Sequence, residues 1–520
     1  MKLQKHLLIL VLSVFAIFSC TVNKTEPGAL PRSTPEEQGV SSQSILNFVE
    51  AVENSNHELH SFMVVRHGNV IAEGWWDPYK PELKHTMYST SKSFTSTAIG
   101  LAVSENLISV SDKVISFFPE DLPDTISENL ADLEIRDLLS MTFGQEPEPP
   151  FPTIVSSNNW VKAILANPIV HKPGSVFLYN SFGTYMLAAI IHKVTGENVV
   201  DYLKPRLFEP LEITGADWEV DPMGINTGGW GLRIKTEDMA KMGQLYLQKG
   251  KWNGVQILPE EWVEEATTSK ILQSPELSQE DRQNSDWLQG YGYKFWRSRH
   301  NSYRGDGAYG QFILVLPEQD AVIAITAETS DMQGELNLVW DNLLPGFQDE
   351  KLAANNEIYN QLKEKLKSLA LISPKVETGS STKSLFNQKS FNFTGDGNLK
   401  GISFNFENDN CKAAMTFANN SQTEFILGAN NWMYGETNIP VNSLAAQPND
   451  QILKLAPFKV VGAYSFPDEN SIELTVRYIE SPHTDYYLCK ANGDSISVEI
   501  SNSRTQRKSV ESYNGTLNPN

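Results

Sequence analysis

The chain is poor in cysteine, carries no basic run and lacks most of the short motifs that announce a common enzyme class. Among its 520 residues are three cysteines, with no CxxC pair and no HExxH, so neither a redox dithiol nor a zinc helix is encoded. His57-Glu58-Leu59-His60 has the wrong spacing for such a helix and reads as a surface turn. No Gly-x-Ser-x-Gly elbow seats an α/β-hydrolase triad, and no GxxxxGK[ST] loop cradles a phosphate. Lys and Arg number 42 against 63 Asp and Glu, a net charge of -21. A surface that acidic repels phosphate backbones, which excludes nucleic acid as a partner. No internal repeat occurs. What is present is an ordinary globular composition, 40% hydrophobic and 20% charged, which excludes wholesale disorder. The length exceeds what one core serves, so two folded domains are expected.

The first twenty residues read as a targeting segment. Lys2 and Lys5 give a positive start, and Leu7 to Phe18 form an apolar stretch too short to span a bilayer. Ile17-Phe18-Ser19-Cys20 is similar to a bacterial lipobox, in which the cysteine is lipidated and becomes the mature N-terminus. The expectation is an exported lipoprotein, membrane-anchored at Cys20 and facing the periplasm or the cell surface, with residues 21–35 as a tether. Cys411 and Cys489 remain, either as one disulfide or as two buried free thiols.

Phe62 to Val65 and Val70 to Ala72 flank a turn at 66–69, and Phe312 to Leu316 and Ala321 to Thr326 flank another at 317–320. Both read as β-hairpins. Between them the pattern is mainly helical, after Ser89, through Phe182 to Ile190 and over Asp238 to Gln248. Sheet at both ends of a helical middle predicts one α/β (α+β) domain, residues 36–370, whose antiparallel sheet is completed by distant segments. Leu352 to Leu371 reads as helix, and residues 371–384 as a Pro/Gly/Ser/Thr-rich linker. From 385 to 520 short alternating strands separated by turn clusters predict a small all-β domain, a sandwich or barrel.

Chemistry is concentrated at Tyr88-Ser89-Thr90-Ser91-Lys92. A Ser and a Lys three residues apart at a helix start share a face, so the amine reaches the hydroxyl. A serine needs a base, and a desolvated lysine with a depressed pKa supplies one. A second SxxK, Ser380 to Lys383, falls in the linker, where nothing is expected to bury it. Tyr179 follows a Pro173-Gly174 turn and precedes the next helix.

Ser89-x-x-Lys92, the Tyr179 segment after Pro-Gly, and a Gly-rich strand near the domain end resemble the serine β-lactamase and penicillin-binding-protein superfamily, in that order. Smaller stretches agree, at Ile135 to Thr142, Gly228 to Arg233 and Asp238 to Leu245. The resemblance implies a class C β-lactamase-like fold, with Ser89, Lys92 and Tyr179 catalytic and the backbone N–H groups of Ser89 and Ala308 as the oxyanion hole. Two departures matter. The family's Tyr-x-Asn reads Tyr179-Asn180-Ser181, and its Lys-Thr-Gly strand is replaced by Arg304 to Gln311. Both features are similar to the 6-aminohexanoate-dimer hydrolase and esterase branch, which cleaves linear amides or esters.

Ser181, Trp230, Arg304 and Gly307 are the remaining substrate-binding candidates. Each has a plainer reading: Trp230 as a packing residue, Arg304 as a surface arginine, Gly307 as a strand irregularity. Glu146 and Glu148 read as solvated loop charge. No metal or organic cofactor is implied. The expected activity is acyl transfer to Ser89 from a small ester, amide or peptide. A β-lactamase or D-alanyl-D-alanine carboxypeptidase is one alternative, and a non-catalytic envelope-binding protein on the same scaffold is another.

Overall fold

The computed structural model describes residues 28–376, 381–440 and 455–518. The leader with Cys20, residues 21–27 of the tether, and residues 377–380 of the linker lie outside the described residues. Among those described, no helix is long and apolar enough to cross a membrane.

The sheet that organises the first domain is assembled from both ends of its sequence. Glu58–Arg66 and Asn69–Trp75 form the first hairpin, and Gln311–Leu316 and Ala321–Glu328 the second. Glu58–Arg66 pairs antiparallel with Ala321–Glu328, joining the hairpins, and Tyr303–Gly307 followed by Trp296–Arg297 completes six strands. The central strands Gln311–Leu316 and Ala321–Glu328 read as near-continuous apolar runs because both faces are buried. Phe62, Val64, Leu314 and Ile323 point into a core shared with the helices Ser42–Glu53 and Asn356–Lys367. Met63, Val65, Ile313 and Val322 point the other way, into the larger core under the helical region. The helix Thr236–Leu247 lies directly on that second face, where Met239 and Met242 are fully buried.

Beyond residue 381 the chain forms a β-barrel. Nine strands close a ring: Glu511–Leu517 pairs with Lys389–Phe393, and Gln422–Gly428 meets Phe458–Asp468 at Gly428 and Ala463. The barrel's interior is filled with Phe391, Phe404, Phe425, Leu474, Val476 and Val498. Closure removes the open sheet edges that a free ten-strand meander would expose. Cys411 and Cys489 are free thiols buried in this core.

Three sequence-based placements need correction. Residues 30–34, assigned to a tether, are docked: Leu30 is buried, and Arg32 bridges Glu73 and Glu237. His57 to His60 is no surface turn, because Glu58 to His60 begin a central strand and His60 is fully buried against the Tyr79 ring. The last part of the expected linker is packed as well, with Thr382 buried and Lys383–Phe386 helical against the barrel.

Candidate active site

Ser89 sits on a tight turn that the sequence makes in an unusual way. Tyr88–Thr90 form a single 3-10 turn leading into the helix Ser91–Ser104. Tyr88 enters it at φ 46°, a left-handed conformation that is costly for a bulky residue and holds only when its surroundings fix it. The helix is rich in Ser and Thr yet buried on all sides. Its hydroxyls are satisfied by backbone: Ser93 Oγ donates to Lys294 O at 2.9 Å, Thr95 Oγ1 to Gly228 O at 2.8 Å and Ser96 Oγ to Tyr293 O at 2.7 Å. Thr90 Oγ1 donates to Gln311 O at 2.7 Å. These bonds lock the helix against three separate segments, so the Ser89 turn stands on a rigid base.

Lys92 is 2% exposed. Its Nζ lies 2.9 Å from Ser89 Oγ, 3.2 Å from Ser181 Oγ and 2.7 Å from Gly229 O. Burial pulls its pKa down to about 7, against the opposing pull of Glu148 and Asp306. An amine in that range supplies a neutral base at neutral pH, which a solvated lysine does not.

Tyr179 closes the other side. Its ring centroid lies 5.0 Å from Lys92 Nζ and stacks on Trp296 at 5.8 Å. Burial raises its phenol well above the usual value, opposed by hydrogen bonding with Ser89. Tyr179 therefore rests as a neutral phenol and not as a phenolate. Asn180 caps the helix Ser181–Thr195, its side chain accepting from Gly183 N at 2.7 Å. That cap sends Tyr179 and Ser181 toward Lys92.

Gly307 belongs to the strand that crosses the Ser89 turn. A Cβ there would lie 2.3 Å from Met87 O, so only glycine lets Tyr303–Gly307 pass this close. Ala308 follows in the turn after that strand, partly exposed. Arg304 is neither a surface arginine nor free for substrate. It is 0% exposed, ion-paired to Asp306 at 2.7 Å, and bonded to Asp286 O and Ser298. Trp230 is a packing residue: it is buried, stacked on Trp160 at 5.9 Å, and donates its indole N–H to Glu219. Its segment still serves the site, through the Gly229 carbonyl.

Glu148 is not solvated loop charge. Its carboxylate accepts from Ser181 N at 2.6 Å, at the start of a helix where negative charge is favoured, and burial raises its pKa. Glu146 does stay exposed, paired with His171. Lys294, which no motif marks, is buried beside Lys92. Its Nζ lies 3.3 Å from Met141 Sδ, and burial followed by repulsion from Lys92 drives its pKa well down. The one available signal was a lysine inside the aromatic run Tyr291 to Trp296.

A family profile described as Beta-lactamase matches residues 50–344, more than half of the chain and the whole of this site. The chain belongs to the beta-lactamase family. A 6-aminohexanoate-dimer hydrolase of Paenarthrobacter ureafaciens is 25% identical over 311 residues, covering 56% of this chain and 78% of that one. A family VIII carboxylesterase structure covers 60% of this chain and 99% of its own, at 14% identity and TM-score 0.46. The octameric penicillin-binding protein homologue from Pyrococcus abyssi covers 91% and 99%, at 16% identity and TM-score 0.45. As a beta-lactamase-family protein the chain is a serine hydrolase, and the geometry above shows which groups meet at its centre.

Proposed function

We propose that the protein forms an acyl-enzyme on Ser89 and cleaves esters or amides of small linear substrates. The observation that carries this reading is the contact of Lys92 Nζ with Ser89 Oγ at 2.9 Å in a buried setting. Neutral Lys92 takes the hydroxyl proton as Ser89 Oγ bonds to the substrate carbonyl carbon. The developing oxyanion is met by the backbone N–H groups of Ser89 and Ala308. Lys92 and Tyr179 then carry the proton to the leaving alcohol or amine, and return one from water when the acyl group is released. Burial draws Lys92 down to about 7 and holds the Tyr179 phenol protonated, so Lys92 sets the acid limb of the pH response.

The preference for linear over β-lactam substrates rests on the strand beside the nucleophile. Tyr303 to Gly307 offers no free cation to a substrate carboxylate, because its one arginine, Arg304, is buried and paired with Asp306. Export and anchoring through a lipidated Cys20 belong to the same reading and rest on the leader sequence. The test is turnover of p-nitrophenyl butyrate and of a chromogenic cephalosporin, each with a Ser89→Ala control. Ser89-dependent ester cleavage with little cephalosporin turnover supports the reading. Fast cephalosporin turnover contradicts the substrate assignment, and ester cleavage that survives Ser89→Ala contradicts the mechanism.

A further inference from the structure

The barrel contributes a side chain to the back of the catalytic turn. Its Ser471–Tyr478 and Thr484–Asn492 strands are joined by a turn at 479–483 that reaches into the first domain. Two backbone anchors fix it there: Thr86 N donates to Glu480 O at 3.0 Å, and the Tyr79 hydroxyl donates to Ser481 O at 3.0 Å. Thr86 is three residues before Ser89. Arg477, at the end of the first of these strands, pairs with Glu58, so a partly buried ion pair ties the same region down.

At the tip of this turn His483 is 0% exposed. Its Nδ1 lies 2.6 Å from Glu328 Oε1, and its Nε2 lies 2.5 Å from the Tyr88 hydroxyl. A carboxylate only accepts, which assigns the proton on Nδ1 to Glu328 and leaves Nε2 to accept from Tyr88. The imidazole also stands perpendicular to the Tyr309 ring, 4.8 Å between centroids, and Tyr309 meets Tyr88 at 5.4 Å. One buried histidine thus touches two tyrosines, the residue before Ser89 and the residue after Ala308.

Both tyrosines hold left-handed backbone conformations, Tyr88 at φ 46° and Tyr309 at φ 66°. Such conformations cost on the order of 1–3 kcal/mol each and persist only where neighbours over-determine them. The neighbours that do so here include a residue 395 positions away in sequence from Tyr88.

We propose that His483 is a positioning residue for hydrolysis: held by Glu328, it fixes Tyr88 and abuts Tyr309, and so sets the backbone N–H groups of Ser89 and Ala308 to receive an oxyanion. The barrel is then a working part of the active site and not a spacer. The inference rests on the acyl-transfer reading above and adds a residue to it. A displacement of about 1 Å in an oxyanion donor costs up to about a hundredfold in rate, because those contacts act in the transition state.

The test uses the full chain and p-nitrophenyl butyrate. His483→Ala is expected to lower kcat by about tenfold to a hundredfold with KM changed less than about twofold. His483→Gln keeps an acceptor and a donor on one side chain and is expected to recover part of the loss. Tyr88→Phe removes a single oxygen and carries the test should His483→Ala fail to fold. The double variant is expected to be no slower than the slower single one, since both remove the same contact. Circular dichroism and thermal unfolding confirm folded protein in each case. Folded His483→Ala or Tyr88→Phe enzyme with wild-type kcat overturns the inference alone. A wild type without Ser89-dependent turnover overturns the hydrolase reading, and this inference with it.

Discussion

The carbonyl oxygen of Gly229 lies 2.7 Å from Lys92 Nζ, and that contact decides which way the amine faces. A carbonyl only accepts, so one Lys92 N–H is committed to it, and Ser181 Oγ at 3.2 Å takes a second. In the neutral amine the lone pair is then left toward Ser89 Oγ. Proton transfer needs no rearrangement of the lysine, only its loss of charge.

That loss sets the acid limb of the activity. With Lys92 drawn down to about 7 by burial, kcat/KM on an ester is expected to fall about tenfold per pH unit below about 7, as the base becomes protonated. A pH–rate profile measures it. A limb near the ordinary lysine value, with little activity at pH 8, contradicts the role given to burial.

The same depressed pKa works against stability. Lys92 binds a proton more weakly folded than unfolded, so its destabilising effect is full below about 7 and fades as pH rises toward the unfolded value of 10.5. Lys92→Met removes this dependence. The variant is expected to gain on wild type as pH drops from 10 to 7, by up to about 1.4 kcal/mol per pH unit, while losing turnover. Urea unfolding at several pH values checks the sign.

Gly307→Ala places a methyl 2.3 Å from Met87 O, a backbone atom that cannot swing aside. The strand and the nucleophile turn must separate, at a cost of about 1–3 kcal/mol. A lower Tm together with a reduced kcat is expected. An unchanged kcat would mean that the approach of these two segments is not needed for chemistry.

Arg304→Met leaves Asp306 buried without its partner and is expected to destabilise the fold by about 3–5 kcal/mol. Thermal unfolding reads this directly. A variant with wild-type Tm and altered substrate preference would return Arg304 to the binding candidates.

Much of the first domain was legible in the sequence, because its signals are local. Phe62 to Val65 and Phe312 to Leu316 read as strands from their own residues, and Ser89 and Lys92 are brought together by one helical turn. What escaped were properties made by distant chain. Arg304 carries no local mark of burial, since Asp286 and Ser298 reach it from another segment. Glu148 sits in a proline-rich loop, and only the helix start at Ser181 turns it inward. His483 meets Tyr88 across the domain boundary, beyond any pattern of spacing. Tyr88 itself, an aromatic in a left-handed turn, breaks the local rule that a residue's propensity matches its conformation.

Acyl transfer through Ser89 requires a covalent bond to its Oγ. The direct measurement is mass spectrometry of enzyme quenched with acid milliseconds to seconds after mixing with p-nitrophenyl butyrate, followed by peptide mapping. A single butyryl adduct on the Ser89 peptide, absent in Ser89→Ala, is the predicted result. Ester turnover with no adduct there, or with the adduct on another residue, would contradict it.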